Sequence, residues 1–165
     1  MIVQLSEYDF LKRALAAFPD QEAVVCGSHR FTYREFGARV NRWAQAMRLL
    51  GVRHGERVAI LSQNCHRVLE AYFGAPLIGA ISMPINFRLV PSDFEYILNH
   101  GGAKVLLVES GLTPLIDQIR AQLPGIEHFV STGEPTDPIP DGWRDYESLL
   151  EAAPSEPAEP APMIM

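Results

Sequence analysis

Arg57-Val58-Ala59-Ile60-Leu61 opens on one charge and then runs through four apolar residues with no polar alternation. A strand of this kind is buried on both faces, as in a parallel sheet covered by helices. Lys104-Val105-Leu106-Leu107-Val108 repeats the pattern, and residues 126–130 give a further apolar strand. Residues 81–85 read as another, with Pro84 ending it or placing it at an edge.

Helical segments lie between these strands. Asn64 is a plausible cap for a helix running from Cys65 towards Gly79, with Pro76 expected to kink it or end it early. Ser92-Asp93-Phe94-Glu95 reads as a capping box, closed by Gly101-Gly102. Residues 112–123 are expected to be helical and to stop at Pro124-Gly125. The order strand, helix, strand, helix, strand predicts an α/β fold: a layered domain with a largely parallel sheet and crossover helices.

The amino-terminal third adds a second unit. Residues 9–18 place Phe10, Leu11, Leu15 and Phe18 on one helical stripe, stopped by Pro19-Asp20. Ala23-Val24-Val25-Cys26 and His29-Arg30-Phe31-Thr32 flank Gly27-Ser28, the pattern of a β-hairpin. Thr32-Tyr33-Arg34-Glu35 is a capping box, followed by Phe36, Val40, Trp43, Ala44, Met47 and Leu50 at helical spacing and by Gly51 as the stop.

Seven of the 13 prolines fall between Pro135 and Pro162, a density that predicts loops. One short helix is expected over residues 144–151, and 154–162 reads as an extended, flexible acidic linker. The division expected from composition is therefore 1–131 as an α/β domain and 132–165 as a proline-rich acidic loop and linker.

Hydrophobic residues make up 47% and charged residues 21% of the 165-residue chain, a globular balance that does not favour disorder. The formal net charge of −6 argues against a nucleic-acid binder. Nine arginines and three carboxylates (Glu35, Glu56, Glu70) lie between Arg30 and Arg88, which reads either as an anion-binding face or as solvated helix faces and local ion pairs. Cys26 and Cys65 form no C-x-x-C pair, and the amino terminus lacks the order of a signal peptide, so a reducing cytoplasmic setting is expected. The longest uncharged apolar stretch, 72–85, is too short to span a membrane.

No phosphate-binding G-x-x-x-x-G-K-[ST] loop, dinucleotide fingerprint or nucleophile elbow is present. The five histidines have no metal-ligand spacing. Cys65-His66 is an adjacent thiol and imidazole, but helical neighbours point apart. Ser131-Thr132-Gly133 follows a strand as phosphate loops do, yet Glu134 and Pro135 oppose that use, and a surface turn fits better. Gly101-Gly102 reads as a helix cap, Tyr33, Phe36 and Trp43 as core, and Asn86 and Arg88 as turn residues after a strand. No residue is assigned as catalytic, cofactor-binding or metal-binding.

An ordered series of short segments carries more. Phe18-Pro19-Asp20, Ala23-Val24-Val25 and Phe31-Thr32-Tyr33-Arg34-Glu35-Phe36 come first. Gly55-Glu56-Arg57-Val58-Ala59-Ile60-Leu61, Asn64 and Ala71-Tyr72-Phe73-Gly74-Ala75-Pro76 follow, then Pro84-Ile85-Asn86-Phe87-Arg88-Leu89 and Tyr96-Ile97-Leu98-Asn99-His100. Together they resemble the opening of the adenylate-forming superfamily, and among its members the fatty-acyl-CoA ligases. The resemblance implies the amino-terminal part of an AMP-forming acyl-CoA synthetase, with 1–131 an incomplete α/β domain. In the full-length parent, Mg-ATP and a carboxylic acid would give an acyl-adenylate and pyrophosphate, and CoA would then take the acyl group. The family's Ser/Thr/Gly-rich ATP loop and its catalytic lysines are not in this sequence, and Met163-Ile164-Met165 resembles the strand that precedes that loop. No family catalytic residue is therefore carried over, and the chain alone is expected to be inactive. The rival reading is a non-catalytic interaction module, forming a homodimer through its amino-terminal face or joining a separately encoded remainder.

Overall fold

The computed structural model describes residues 6–134 and 136–160. In chain order the elements are α1 (Glu7–Ala17), β1 (Glu22–Cys26), β2 (His29–Thr32), α2 (Tyr33–Leu49), β3 (Arg57–Leu61), α3 (His66–Leu77), β4 (Ile81–Pro84), α4 (Pro91–Gly101), β5 (Ala103–Glu109), α5 (Thr113–Asp117), β6 (His128–Thr132), β7 (Arg144–Asp145) and α6 (Tyr146–Ala152).

Five strands form one sheet in the order β4-β3-β5-β6-β7, and every adjacent pair is parallel. The alternation of side chains sorts the apolar strand residues between two cores. Val58, Ile60, Val105, Leu107 and Val130 face α2, α3 and α6, where Trp43, Ala71, Tyr146 and Leu150 are buried. Ala59, Leu61, Leu106, Val108 and Phe129 face α4 and α5, where Phe94, Leu98 and Ile116 are buried. The unbroken apolar strands are thus explained by helices on both faces. The antiparallel β1–β2 hairpin and α1 add a small third core over α2, built on Leu11, Val24, Phe36 and Val40.

The caps follow the sequence with local shifts. The Thr32 hydroxyl accepts from the Glu35 amide at 3.2 Å, and Glu35 accepts from the Thr32 amide at 2.8 Å. The box of α4 lies two residues earlier than expected, at 90–93, because Pro91 is preset for the first helical position and Asp93, not Glu95, accepts from the amide of the cap residue, Val90. Cys65, not Asn64, is the cap residue of α3, and Pro76 falls in the last turn of that helix, where it ends it rather than kinking its middle.

Two expectations need larger correction. The helix expected over 112–123 is only Thr113–Asp117 followed by a tight turn at Arg120–Gln122. Neighbouring loops fix this segment instead: Asp117 accepts from the Trp143 indole at 2.9 Å, and Arg120 donates to the Asp141 and Gly142 carbonyls. The strand expected over 126–130 lies two residues later, His128–Thr132, because Val105 pairs with His128. Ser131 and Thr132 therefore belong to the sheet rather than to a loop. Likewise Arg144 and Asp145 pair with β6 before the short helix begins at Tyr146.

The proline-rich segment is loop-rich between β6 and β7. Residues 154–160 run without regular structure along α2, and Ala153 and Ala158 are buried in the core between sheet and helices. Met163-Ile164-Met165 lies outside the described residues.

Candidate functional site

In an open parallel sheet the crevice forms beyond the carboxyl ends of the strands, where successive crossovers leave in opposite directions. Here that point lies between β3 and β5, because β3 leads to β4 on one side while β5 pairs on its other side. A cleft of about 560 Å³ opens there, bounded by the turn after β3, the start of α3, the ends of β5 and β6 and the tip of the β1–β2 hairpin.

Carboxylates already fill much of its hydrogen-bonding capacity. Glu109 accepts from the Gln63 amide at 2.8 Å and from the Ser62 hydroxyl at 3.3 Å. Asp137 accepts from the Ser110 hydroxyl at 2.8 Å and from the Glu134 amide at 3.0 Å. A Cβ at Gly133 would sit 2.5 Å from the Asp137 carboxylate, so a larger residue there would have to displace that side chain. The Ser131-Thr132-Gly133 segment lies at this edge of the cleft. Ser131 and Thr132 are buried, the Thr132 hydroxyl donates to the Val108 carbonyl, and the amide that a phosphate would need is held by Asp137. In this arrangement the Glu134 amide is engaged and the Glu134 and Asp137 carboxylates stand at the loop.

One wall of the cleft continues into a chain of charged groups. Glu134 meets the His29 imidazole at 3.2 Å and Arg67 at 3.5 Å. Arg67 also donates to Glu147 at 2.9 Å, as does Arg39. Arg39 then donates to Glu70 at 2.7 and 3.2 Å, and the Tyr146 hydroxyl donates to Glu70 at 2.7 Å. Glu70 is fully buried, and that burial pushes its carboxyl above the usual range even though Arg39 pulls the other way. Burial and the adjacent Glu70 push the Tyr146 hydroxyl well up. Burial also works against charge on Glu147, but its bonds to Arg39 and Arg67 prevail and hold it low. The hydrogen bond from His29 holds Glu134 low.

None of these groups stood out in the sequence. The available signal was Glu70 itself: on a helix it shares a stripe with Gly74 and Leu77, both buried, so a carboxylate there requires partners. Within the arginine-rich stretch Arg30 also pairs with Glu22 and Arg34 with Asp20, while Arg57 donates to the Gly101 carbonyl.

Cys65 and His66 have different neighbours. The Cys65 thiol lies 3.8 Å from the Ser62 hydroxyl, while the His66 ring is buried against His29 and Phe31 at 4.8 and 5.2 Å between centroids. Burial, reinforced by Arg67, Arg39 and His29, lowers His66 to about 4 from the usual 6.5, with Glu147 opposing weakly. The unfolded chain then binds a proton that the folded chain refuses, so stability is full above pH 6.5 and falls as pH drops towards 4. His66→Phe should flatten urea-unfolding stability over that window, where this histidine contributes a loss of up to about 3 kcal/mol; an unchanged slope would contradict the burial argument.

The other candidates are structural. Gly102 ends α4 in the left-handed conformation at φ 61°. The exposed Asn86 accepts from the Arg88 amide at 3.0 Å, which stabilises the turn after β4. Phe36 and Trp43 are buried and Tyr33 is half-buried. Among the described residues no group of three or more histidine, cysteine or acidic side chains could hold a metal ion, and no helix is long and apolar enough to cross a membrane.

Comparison with known proteins interprets this frame. The profile described as AMP-binding enzyme matches residues 11–164. The chain belongs to that family. A long-chain-fatty-acid–CoA ligase of Thermus thermophilus is 42% identical over 151 residues, covering 89% of this chain and 27% of that protein. A 4-hydroxybutyrate–CoA ligase of Metallosphaera sedula is 36% identical, covering 69% of this chain and 22% of that protein. In structure, the anthranilate CoA ligase AuaEII with anthranoyl-AMP superposes with a TM-score of 0.91 at 31% identity, covering 98% of this chain and 30% of that one. The N-terminal domain of FACL13 from Mycobacterium tuberculosis gives a TM-score of 0.80 at 29% identity, covering 94% of this chain and 37% of that one. The chain thus spans less than a third of the length of the curated relatives named here, and its fold matches part of the N-terminal domain of adenylate-forming CoA ligases.

Proposed function

We propose that the chain is the amino-terminal portion of an AMP-forming carboxylic acid–CoA ligase. In the full-length protein, ATP, an acid and CoA give acyl-CoA, AMP and pyrophosphate, in the cytoplasm. The observation that supports this most is the agreement of relatives named as CoA ligases over most of this chain while it covers under a third of theirs. The acids in their names range from long-chain fatty acids to 4-hydroxybutyrate and anthranilate, so the shared segment supports the reaction class more than one acid. Fatty acids are the first substrates to try, from the 42% identity to the Thermus thermophilus enzyme.

The role of these residues is to build and brace the α/β body, not to bind ATP. The cleft at the strand ends is lined by Glu109, Glu134 and Asp137, which oppose a polyphosphate. Acid-dependent exchange of pyrophosphate into ATP, and CoA thioester formation, should appear with the full-length protein and be absent from the 165-residue chain. Robust exchange by the purified chain would overturn the assignment.

An interaction module is the second reading, and it rests on exposed apolar side chains on α1, the following turn and β1. Phe10, Phe18 and Val25 are 67%, 51% and 53% exposed. Light scattering on the same sample separates the two readings: a homodimer at micromolar concentration favours the module, and a monomer favours the passive domain.

A further inference from the structure

α2 carries a row of polar side chains that grip the main chain of residues 154–160. Asn41 uses both ends of its amide. Its nitrogen donates to the Glu156 carbonyl at 2.7 Å and the Ser155 carbonyl at 3.4 Å, and its oxygen accepts from the Ala158 amide. One turn on, Gln45 donates to the Glu156 carbonyl at 3.1 Å, and Arg48 donates to the Glu159 carbonyl at 2.6 Å. Asn41, Gln45 and Arg48 are spaced four and three residues apart, so they form one stripe of the helix.

All these bonds go to backbone atoms. Within the segment only the small Ala158 side chain is buried, at 4% exposure, while Pro154, Glu156, Pro157, Glu159 and Pro160 face solvent. Proline recurs every third residue, at 154, 157 and 160. That period matches the three-residue turn of an extended polyproline helix, which is stiff before it docks and loses little entropy on docking.

We propose that the Asn41–Gln45–Arg48 face of α2 is a docking surface for an extended, proline-spaced peptide with one small inward residue, and that the chain's own residues 154–160 are its reversible occupant. The strap is held by side-chain-to-backbone bonds at the surface and by one methyl group, whereas the sheet is held by ladders and two apolar cores. It therefore opens as a local unit while the sheet stays folded. Pro160, at its end, is one of the residues lining the groove beside α1 and β4, so release of the strap removes part of that wall.

Native-state hydrogen exchange on the intact 165-residue chain tests this. The Ala158 amide should be protected, but should open more readily than Leu106 and Leu107 and with little dependence on urea. Asn41→Ala should speed its exchange by about tenfold or more, leaving Leu106 and Leu107 unchanged. Arg48→Ala, a surface change that leaves the core intact, should speed it by a smaller factor. Glu156→Gln and Glu159→Gln should leave it within about twofold, because recognition reads the main chain. An excess of peptide matching residues 153–160 should compete and raise the exchange of the tethered strap. The proposal falls if Ala158 exchanges as fast as in the free peptide, if it opens only together with Leu106 and Leu107, or if Asn41→Ala and Arg48→Ala leave its rate unchanged.

Discussion

Arg39→Met should cost the 165-residue chain about 3–5 kcal/mol, the range for removing one member of a buried ion pair. Glu70 is wholly enclosed, and apart from Arg39 at 2.7 Å its described partner is the neutral Tyr146 hydroxyl. Without the guanidinium, the carboxylate must stay charged in an apolar layer or take up a proton. The substitution also removes one of the two arginines on Glu147, leaving it with Arg67.

The pH dependence separates this from mere loss of packing. Burial already raises the Glu70 carboxyl above 4.5, and removal of Arg39 raises it further. A raised carboxyl binds in the folded state a proton that the unfolded chain releases. Stability is then lost as pH climbs from 4.5 through the folded value. The deficit of Arg39→Met should accordingly be smallest in mild acid and grow as pH rises, read by urea unfolding. Glu70→Gln in the same background should recover much of it, since a neutral amide can still accept from Tyr146. A deficit independent of pH, untouched by Glu70→Gln, would mean that Arg39 acts through its methylenes alone.

The fold was legible because its signals are local and repeated. The apolar runs at 57–61 and 104–108 have no other stable use than buried strands, and the Thr32-to-Glu35 box fixes the start of α2 within one turn. Pro84 correctly marked an edge strand. What the sequence hid is set by distance along the chain. Arg39, Glu70 and Glu147 lie on three helices, and each alone reads as an ordinary charge on a helix. The register that puts Ser131 and Thr132 into the sheet depends on β5, more than 20 residues away. The strap was read as a flexible linker from its composition, because proline density predicts the lack of helix but says nothing about side chains on α2 that wait for its carbonyls.

The second large effect should come from Trp43→Ala, expected to cost about 3–5 kcal/mol as a large-to-small change in a close-packed core. Trp43 is fully buried, and its ring lies 4.8 Å from that of Tyr146. On its other side, α3 comes close enough that a methyl group on Gly74 would sit 2.8 Å from the indole. The side chain therefore fixes the spacing of α2, α3 and α6 at one point, and its loss leaves a cavity that three helices must share. Trp43→Phe isolates a separate contribution. Among the described residues the buried indole N–H has no hydrogen-bond partner, a state that costs about 1–3 kcal/mol. Phenylalanine removes that donor while keeping most of the ring, so its net cost should stay below about 2 kcal/mol. Trp143 remains as the fluorescent reporter in both variants. Equal losses for Trp43→Phe and Trp43→Ala would show that the outer ring, not the cavity as a whole, holds the helices together. Tyr146 links this site to the first, since it packs on Trp43 and donates to Glu70. Trp43→Ala combined with Arg39→Met should therefore fall short of the sum of the two by about 0.5–3 kcal/mol, because both changes loosen the same tyrosine.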